Sequence, residues 1–265
     1  MYLTVDSVTK TFVIERRKRH EELCALDGVS FDVTEGSFVA ICGPSGCGKS
    51  TLLRLIHGLR PPDSGEIRVR GEPVLAPSLD RGMVFQNHGL MPWRTVQRNV
   101  EIGLEALHLS RDQRRERAER WLEKVGLSDF ASYYPAQLSG GMQQRVGLAR
   151  ALAIEPEMLL MDEPFGALDA QTRVVLQEEL ERIWHAETKT VVFITHDIEE
   201  ALFLSDRVLV MSARPGKIIA DIVVDAARPR GTAFRASPEF AALKGRIWEL
   251  LRTGQQASLL EPVQP

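Results

Sequence analysis

The stretch between Gly43 and Thr51 constrains the fold of this chain more than any other, because it interleaves glycines with small residues and ends just past Lys49. It fits the spacing G-x-x-x-x-G-K-[ST], and its members are Gly43, Pro44, Ser45, Gly46, Cys47, Gly48, Lys49, Ser50 and Thr51. The apolar run 38–42 before it predicts a buried strand, and 51–57 predicts a helix that ends at Gly58. A glycine-rich turn between a strand and a helix N-terminus predicts an open α/β sheet with an anion site at this turn.

The chemistry of this turn suits a nucleotide triphosphate together with Mg²⁺. Glycines let backbone N–H groups approach the phosphates closely, and the helix N-terminus adds partial positive charge. Lys49 is predicted to reach the β- and γ-phosphates, and the Ser50 hydroxyl to bind Mg²⁺. The alternative, a glycine-rich turn that matches by chance, does not account for the strand and the helix on either side of it.

Composition narrows the class of protein further. The 265 residues are 44% hydrophobic with a formal net charge of -3, which allows a large core and gives no electrostatic support for nucleic-acid binding. The three cysteines form no C-x-x-C pair, so they indicate a reducing compartment rather than a metal site. The N-terminus has no signal-peptide pattern, and no apolar run reaches the roughly 18 residues that span a bilayer. We therefore expect a cytosolic protein that reaches a membrane only through a partner.

Polar side chains end three further predicted strands: Gln86 follows 81–85, Asp162 and Glu163 follow 158–161, and His196 follows 191–195. Because ligands collect at the carboxyl ends of strands in open α/β sheets, Gln86 is predicted to reach a metal or the attacking water. The adjacent carboxylates suit two tasks, with Asp162 holding Mg²⁺ and Glu163 orienting or deprotonating water. His196 could sense the γ-phosphate. A lone Asp-Glu pair is more often a pair of surface acids, and an isolated histidine is more often a hydrogen-bonded structural residue. The phosphate-binding turn favours the functional interpretation of the Asp-Glu pair.

Four stretches allow two interpretations each. Phe12, in a predicted strand, could stack on adenine, although a lone aromatic is more often a core residue. The charge run 15–22 is either a phosphate or membrane contact or a solvated hairpin loop, and its flanking acids favour the loop. The apolar stretch 90–96, broken by Pro92, is either buried or a docking surface. The helix predicted at 111–124 carries several arginines, but interleaved acids favour a solvated face over nucleic-acid contact.

One motif points to a family. The segment Leu138-Ser139-Gly140-Gly141-Met142-Gln143-Gln144-Arg145 resembles the signature sequence of ATP-binding cassette (ABC) ATPases. The resemblance implies the P-loop NTPase (RecA-like) fold, an α/β architecture with a mostly parallel sheet core, an antiparallel β subdomain and an inserted α-helical subdomain. It implies an ATPase domain over 1–231, with core and β subdomain at about 1–86 and 153–225 and the helical subdomain at about 87–152. Residues 232–265 would form a short C-terminal extension, with a helix near 238–251 and a mobile tail over 255–265.

The resemblance also implies ATP and Mg²⁺ as ligands, and a homodimer that holds each ATP between head-to-tail subunits. Phe12 would then stack on adenine, and the catalytic residues would be Glu163, His196 and Gln86. The metal would lie against Ser50, Gln86 and Asp162. The residues that face the other subunit's ATP would be Ser139, Gly140, Gly141 and Gln143, around the start of a helix near Met142. The D-loop at the dimer contact would be Ala167, Leu168 and Asp169.

A narrower resemblance concerns the segments 84–86, 90–96, 162–173 and 207–216, which look like those of bacterial importer ATPases of the nitrate/sulfonate/taurine group. It implies that two transmembrane permease subunits dock on Leu90, Met91, Pro92 and Trp93. It also implies a peripheral location on the cytoplasmic face of the inner membrane, and an indirect role for a periplasmic or surface substrate-binding protein.

Three alternatives stay open. An importer ATPase for another small molecule, such as a pyrimidine or thiamine precursor, would carry the same motifs. A soluble ABC machine acting on DNA or ribosomes usually has a long coiled-coil insertion or two cassettes in one chain, and this sequence shows neither. A P-loop kinase needs an acceptor site and does not account for 138–145. We therefore expect protein partners and no nucleic acid.

Overall fold

The computed structural model of the chain describes residues 1–16, 19–87, 89–166 and 168–260. These residues group into two compact units, of which the first comprises Met1–Ser78 with Trp184–Pro265 and the second Leu79–Ile183. The strands are β1 (Leu3–Arg16), β2 (Arg19–Val33), β3 (Phe38–Cys42), β4 (Ser64–Val69), β5 (Glu72–Pro73), β6 (Arg81–Val84), β7 (Met158–Asp162), β8 (Thr190–Thr195), β9 (Arg207–Met211) and β10 (Ile218–Val223). The α-helices are α1 (Lys49–His57), α2 (Val96–Leu104), α3 (Arg111–Lys124), α4 (Gly140–Ala153), α5 (Ala170–Glu187), α6 (Ile198–Leu204), α7 (Thr232–Arg235) and α8 (Pro238–Leu260).

The first unit contains the predicted antiparallel sheet, with strand order β2-β1-β4-β5. β1 and β2 pair from Leu3 and Val33 as far as Arg16 and Arg19. The charge run 15–22 was expected to be a hairpin loop, and most of it instead continues the two strands. The reason is that the backbone pairing continues as far as Arg16 and Arg19, and the hydrogen bonds of such a ladder do not depend on the charge of its side chains. Residues 17 and 18 lie outside the described part of the chain.

Parallel strands form the core of the first unit, in the order β10-β9-β3-β8. β3 pairs in parallel with both β8 and β9, whereas β10 adds an antiparallel edge to β9. Both β3 and β8 are buried along their whole length, as their continuous apolar sequences predict for strands covered on both faces. In the second unit β6 and β7 are parallel and are accompanied by α2, α3 and α4. The predicted mixed architecture, mostly parallel with an antiparallel sheet and inserted helices, is confirmed.

Helix ends follow the local sequence closely. α3 spans the predicted residues 111–124, and Ser110 and Gln113 form a capping box at its start. α8 runs to Leu260, so the helix predicted near 238–251 continues through 255–260, the first part of the segment predicted to be a tail. After Gly254, a residue that helices tolerate, the next strong helix breaker is Pro262; residues 261–265 lie outside the described range. No helix in the described part of the chain combines the length and the apolar character needed to cross a bilayer.

Candidate functional site

The glycine-rich turn joins β3 to α1 in the first unit, as its sequence predicts. Gly48, the N-cap of α1, has φ 107°, and a Cβ there would lie 2.7 Å from the Ala25 carbonyl oxygen. Only glycine fits this backbone conformation and this close approach. Gly48 also brings no capping side chain, and the first turn of α1 carries no acidic residue. The positive end of the helix dipole is therefore left for an external anion, which is the arrangement that phosphate sites use.

Lys49 is 4% exposed and lies against the turn that precedes it. Its Nζ donates to the carbonyl oxygens of Gly43 at 2.8 Å and Pro44 at 3.0 Å. The Lys49 ammonium can exchange these carbonyl partners for phosphate oxygens. Because it is already buried, this exchange adds little desolvation cost. Nearby, burial raises the pKa of the Cys42 thiol to about 12 against the opposing effect of Lys49, so this thiol stays protonated at neutral pH.

Phe12 and His196 occupy the first unit too. Phe12 lies on β1 opposite Leu23, half-buried, with the guanidinium carbon of Arg60 5.6 Å from the centre of its ring. A nucleotide base would stack on the opposite face of the Phe12 ring, or it would displace Arg60 and stack on the same face. His196 is exposed directly after β8.

The backbone on both sides of His196 is fixed by its neighbours. Thr195 Oγ1 donates to the buried Glu200 carboxylate at 2.7 Å. Asp197 Oδ1 accepts from the Glu199 N–H at 2.8 Å and so caps α6. The histidine is thus presented to solvent from a rigid strand-to-helix turn.

The second unit brings Gln86 and Glu163 together. Val84 pairs with Met161 in the parallel β6–β7 ladder, and each of these two polar residues stands two positions further along its chain. Gln86 Nε2 donates to Glu163 Oε2 at 3.4 Å, a long hydrogen bond. Glu163 has φ 45°, a left-handed conformation that is unusual for glutamate and that concentrates at functional sites. Asp162, which precedes it, is 5% exposed.

The signature segment forms the start of α4, also in the second unit. The helix begins at Gly140, two residues before the predicted Met142, because Ser139 caps it by accepting from the Met142 N–H at 3.3 Å. Gln143 Nε2 donates to the carbonyl oxygens of Pro135 and Leu138. A Cβ at Gly141 would lie 2.7 Å from the Thr172 methyl group, so this glycine permits close packing of α4 on α5.

The predicted D-loop lies just before α5. Leu168 is buried, and Asp169 Oδ1 accepts from the Gln171 and Thr172 N–H groups. These bonds, that from Thr172 most of all, lower the pKa of the Asp169 carboxyl and keep it charged. Ala167 lies outside the described residues.

The predicted docking segment 90–93 is ordered by a residue that sequence reasoning missed. Asn99 on α2 is fully buried, accepts from the Met91 N–H at 2.7 Å and donates toward the carbonyl oxygens of Met91, Arg94 and Thr95. Leu90 and Met91 are half-buried, Pro92 is exposed, and Trp93 is 72% exposed. The signal that could have found it is its position: Asn99 lies between Val96 and Val100, on the side of α2 that is buried. A buried amide must be hydrogen-bonded.

Comparison with known proteins places these features in a family. A family profile described as ABC transporter matches residues 26–166. The taurine import ATP-binding protein TauB of Rhizobium johnstonii is 51% identical over 234 residues, which cover 86% of this chain and 89% of that protein. An ABC transporter ATP-binding protein of Methanocaldococcus jannaschii is 49% identical over 250 residues, covering 94% of this chain and 91% of that one.

A solved structure agrees with these relatives. The dimeric structure of a post-hydrolysis state of the ATP-binding cassette MJ0796, bound to ADP and Pi, has a TM-score of 0.74 and 35% sequence identity to this chain. It covers 85% of this chain and 100% of its own. The phosphate-binding turn, the paired strand ends and the signature helix therefore have a common explanation: the chain belongs to the ABC transporter family of ATP-binding cassette ATPases.

Proposed function

We propose that this ATPase is the energy-coupling subunit of a bacterial importer for small anions of the taurine, sulfonate or nitrate type. The observation that carries ATP hydrolysis at this site is the contact between Gln86 and Glu163 at the ends of two adjacent parallel strands. The sequence identity to taurine import ATP-binding proteins supports import as the direction of transport, and it supports the proposed substrate class. An importer for a pyrimidine or thiamine precursor is the second candidate, because the motifs do not depend on the cargo.

Each of the site residues has a separate task in this proposal. The turn from Gly43 to Thr51 binds the phosphates through backbone N–H groups, with Lys49 offsetting their charge, and Phe12 stacks on adenine. Glu163 takes the proton of the attacking water and Gln86 orients that water. His196 donates a hydrogen bond to the γ-phosphate.

The oxygen donors Ser50, Gln86 and Asp162 suit Mg²⁺, which prefers few protein ligands beside water and phosphate oxygens. When bound, Mg²⁺ neutralises phosphate charge. The substrate's own oxygens would complete its ligand shell.

A second copy of the chain completes each site in this proposal. The N-terminus of α4 offers Ser139, Gly140, Gly141 and Gln143 to the γ-phosphate held by the partner subunit. The segment Ala167, Leu168 and Asp169 lies at the same contact. Support comes from the dimeric form of the related cassette bound to ADP and Pi. ATP binding would close the homodimer, and release of the hydrolysis products would open it.

Two transmembrane permease subunits are the proposed partners at the cytoplasmic face of the inner membrane, with a substrate-binding protein acting on the outer side. Their docking surface is Leu90, Met91, Pro92 and Trp93, within a helical subdomain at about 87–152. An indole that is 72% exposed on a segment fixed by a buried asparagine is a preformed apolar contact.

The test uses proteoliposomes that contain the candidate permease, with taurine uptake and ATP turnover as readouts. Trp93→Ala should abolish uptake and permease-stimulated turnover. Trp248→Ala is the matched control, since Trp248 is 61% exposed on α8 and lies outside the docking segment, and it should leave both unchanged. Full uptake with Trp93→Ala would refute the docking surface. Uptake of a pyrimidine precursor by the wild-type complex, without uptake of taurine, would refute the substrate class.

A further inference from the structure

The segment that follows β9 packs directly on the phosphate-binding turn. Gly216 donates through its N–H to the Ala25 carbonyl oxygen at 3.0 Å and accepts from the Asp27 N–H at 3.1 Å. A Cβ on Gly216 would overlap the Cys47 carbonyl oxygen, so the two backbones touch. Ser212 closes the segment into a turn, because its Oγ donates to the Pro215 carbonyl oxygen at 3.0 Å. The segment 212–216 is therefore a fixed platform beside the turn.

Arg214 extends from this platform to the tip of the phosphate-binding turn. Its Nε and Nη2 both donate to the Gly46 carbonyl oxygen, at 3.1 Å and 2.7 Å. Gly46 itself is exposed and has φ 79°, a conformation that other residues rarely adopt. Two charged donors on one carbonyl make a strong, directional contact. Arg214 belongs to none of the motifs that assign the site.

The consequence for nucleotide binding follows from peptide geometry. A trans peptide is planar, so the Gly46 carbonyl and the Cys47 N–H point in opposite directions, and fixing one fixes the other. The Cys47 N–H donates to the Pro44 carbonyl oxygen at 3.4 Å, a long hydrogen bond. We propose that Arg214 is a positioning residue that holds the Gly46 carbonyl away from the nucleotide and thereby keeps the Cys47 N–H directed to the phosphates. This inference rests on the phosphate site of the proposed function.

Electrostatic attraction is a second explanation by which Arg214 would strengthen nucleotide binding. A guanidinium beside a phosphate site attracts anions through space, without any need for the hydrogen bonds to Gly46. Two properties separate the accounts. Through-space attraction is screened by salt, because the Debye length falls to a few Å at about 0.5 M. It also requires a charge, whereas positioning requires a donor.

The experiment measures ADP and ATP affinity by calorimetry for the full-length protein and three variants. Arg214→Ala should weaken the binding of both nucleotides by a similar factor of about five to ten, the effect of losing the charge-assisted contact with one carbonyl at an exposed site. Arg214→Gln, a neutral donor, should recover part of this loss. Lys217→Ala, which removes an exposed ion pair with Asp27 in the same region, should bind like wild type. The melting temperature without nucleotide should not change in any of the three, whereas the rise caused by ADP should shrink for Arg214→Ala.

Two results would overturn the inference. One is wild-type affinity in Arg214→Ala. The other is a loss that Arg214→Gln does not relieve and that disappears at about 0.5 M salt, which would show a through-space effect. Lys49→Ala tests the proposed phosphate site separately: if it abolishes binding while Arg214→Ala binds like wild type, only the positioning role fails, and if Lys49→Ala itself binds normally, the site is wrong.

Discussion

Replacing Asn99 by alanine should uncouple the docking segment from α2. The side chain is fully buried and makes four hydrogen bonds to the backbone of Met91, Arg94 and Thr95. The Thr95 and Met91 carbonyl oxygens keep backbone partners, from the N–H groups of Asn99 and Arg94. The Met91 N–H and the Arg94 carbonyl must find new ones.

The magnitude follows from these two groups. An unsatisfied buried backbone group costs about 1–2 kcal/mol, so the free energy of unfolding should fall by about 2–4 kcal/mol. Because Met91 and Arg94 are half-buried, water replaces part of each bond and the lower end, about 2 kcal/mol, is expected. Urea unfolding measures this change. Permease-stimulated ATP turnover should fall as well, because the backbone that holds Trp93 at the docking surface is no longer fixed.

Gln97→Ala is the matched control on the same helix. Gln97 is half-buried and its amide makes a single 3.2 Å bond to Glu101, so its loss should change the free energy of unfolding by less than about 1 kcal/mol. If Asn99→Ala unfolds at the wild-type urea concentration and couples normally to the permease, the buried amide does not organise the docking segment.

Three further predictions concern the site and its support. Gly48→Ala should abolish nucleotide binding in calorimetry, because its Cβ would lie 2.7 Å from the Ala25 carbonyl oxygen at φ 107°; retained binding would contradict the geometry of the turn. Glu163→Gln should lower ATP turnover by about two to four orders of magnitude and leave ATP binding intact, and an unchanged rate would remove Glu163 from the role of base. Burial raises the pKa of the Glu179 carboxyl against the effect of Arg145, so the folded state binds its proton more tightly than the unfolded state. Its contribution to stability is therefore present at low pH and lost as pH rises, and urea unfolding should show wild type losing stability relative to Glu179→Gln as pH rises above about 4.3, the ordinary pKa of a glutamate.

The strands and their polar ends were predictable because their signals are local. The apolar run 158–161 by itself predicts a buried strand, and Asp162 directly after it predicts a polar group at the end of that strand. The parallel register of β6 and β7 then places Gln86 and Glu163 side by side. The signature was predictable for the same reason, since Ser139 is both a cap and the start of a glycine-rich helix turn.

Contacts between distant segments were not predictable from the sequence. Arg214 lies 168 positions from Gly46, and only the parallel placement of β9 beside β3 brings the segment after β9 to the phosphate-binding turn. Asn99 was missed because an asparagine in a helix is usually a surface residue, and its burial depends on the turn that precedes α2. The length of the β1–β2 hairpin was missed because charge patterns describe solvent exposure and do not decide whether a ladder continues.

The central claim is that two copies of this chain close on ATP in opposite orientation. Light scattering of Glu163→Gln with ATP and Mg²⁺ measures it most directly, since this variant should bind ATP without turning it over. We expect twice the monomer mass with ATP, and the monomer mass with ADP or with no nucleotide. A monomer at saturating ATP, even in the presence of the permease, would contradict it.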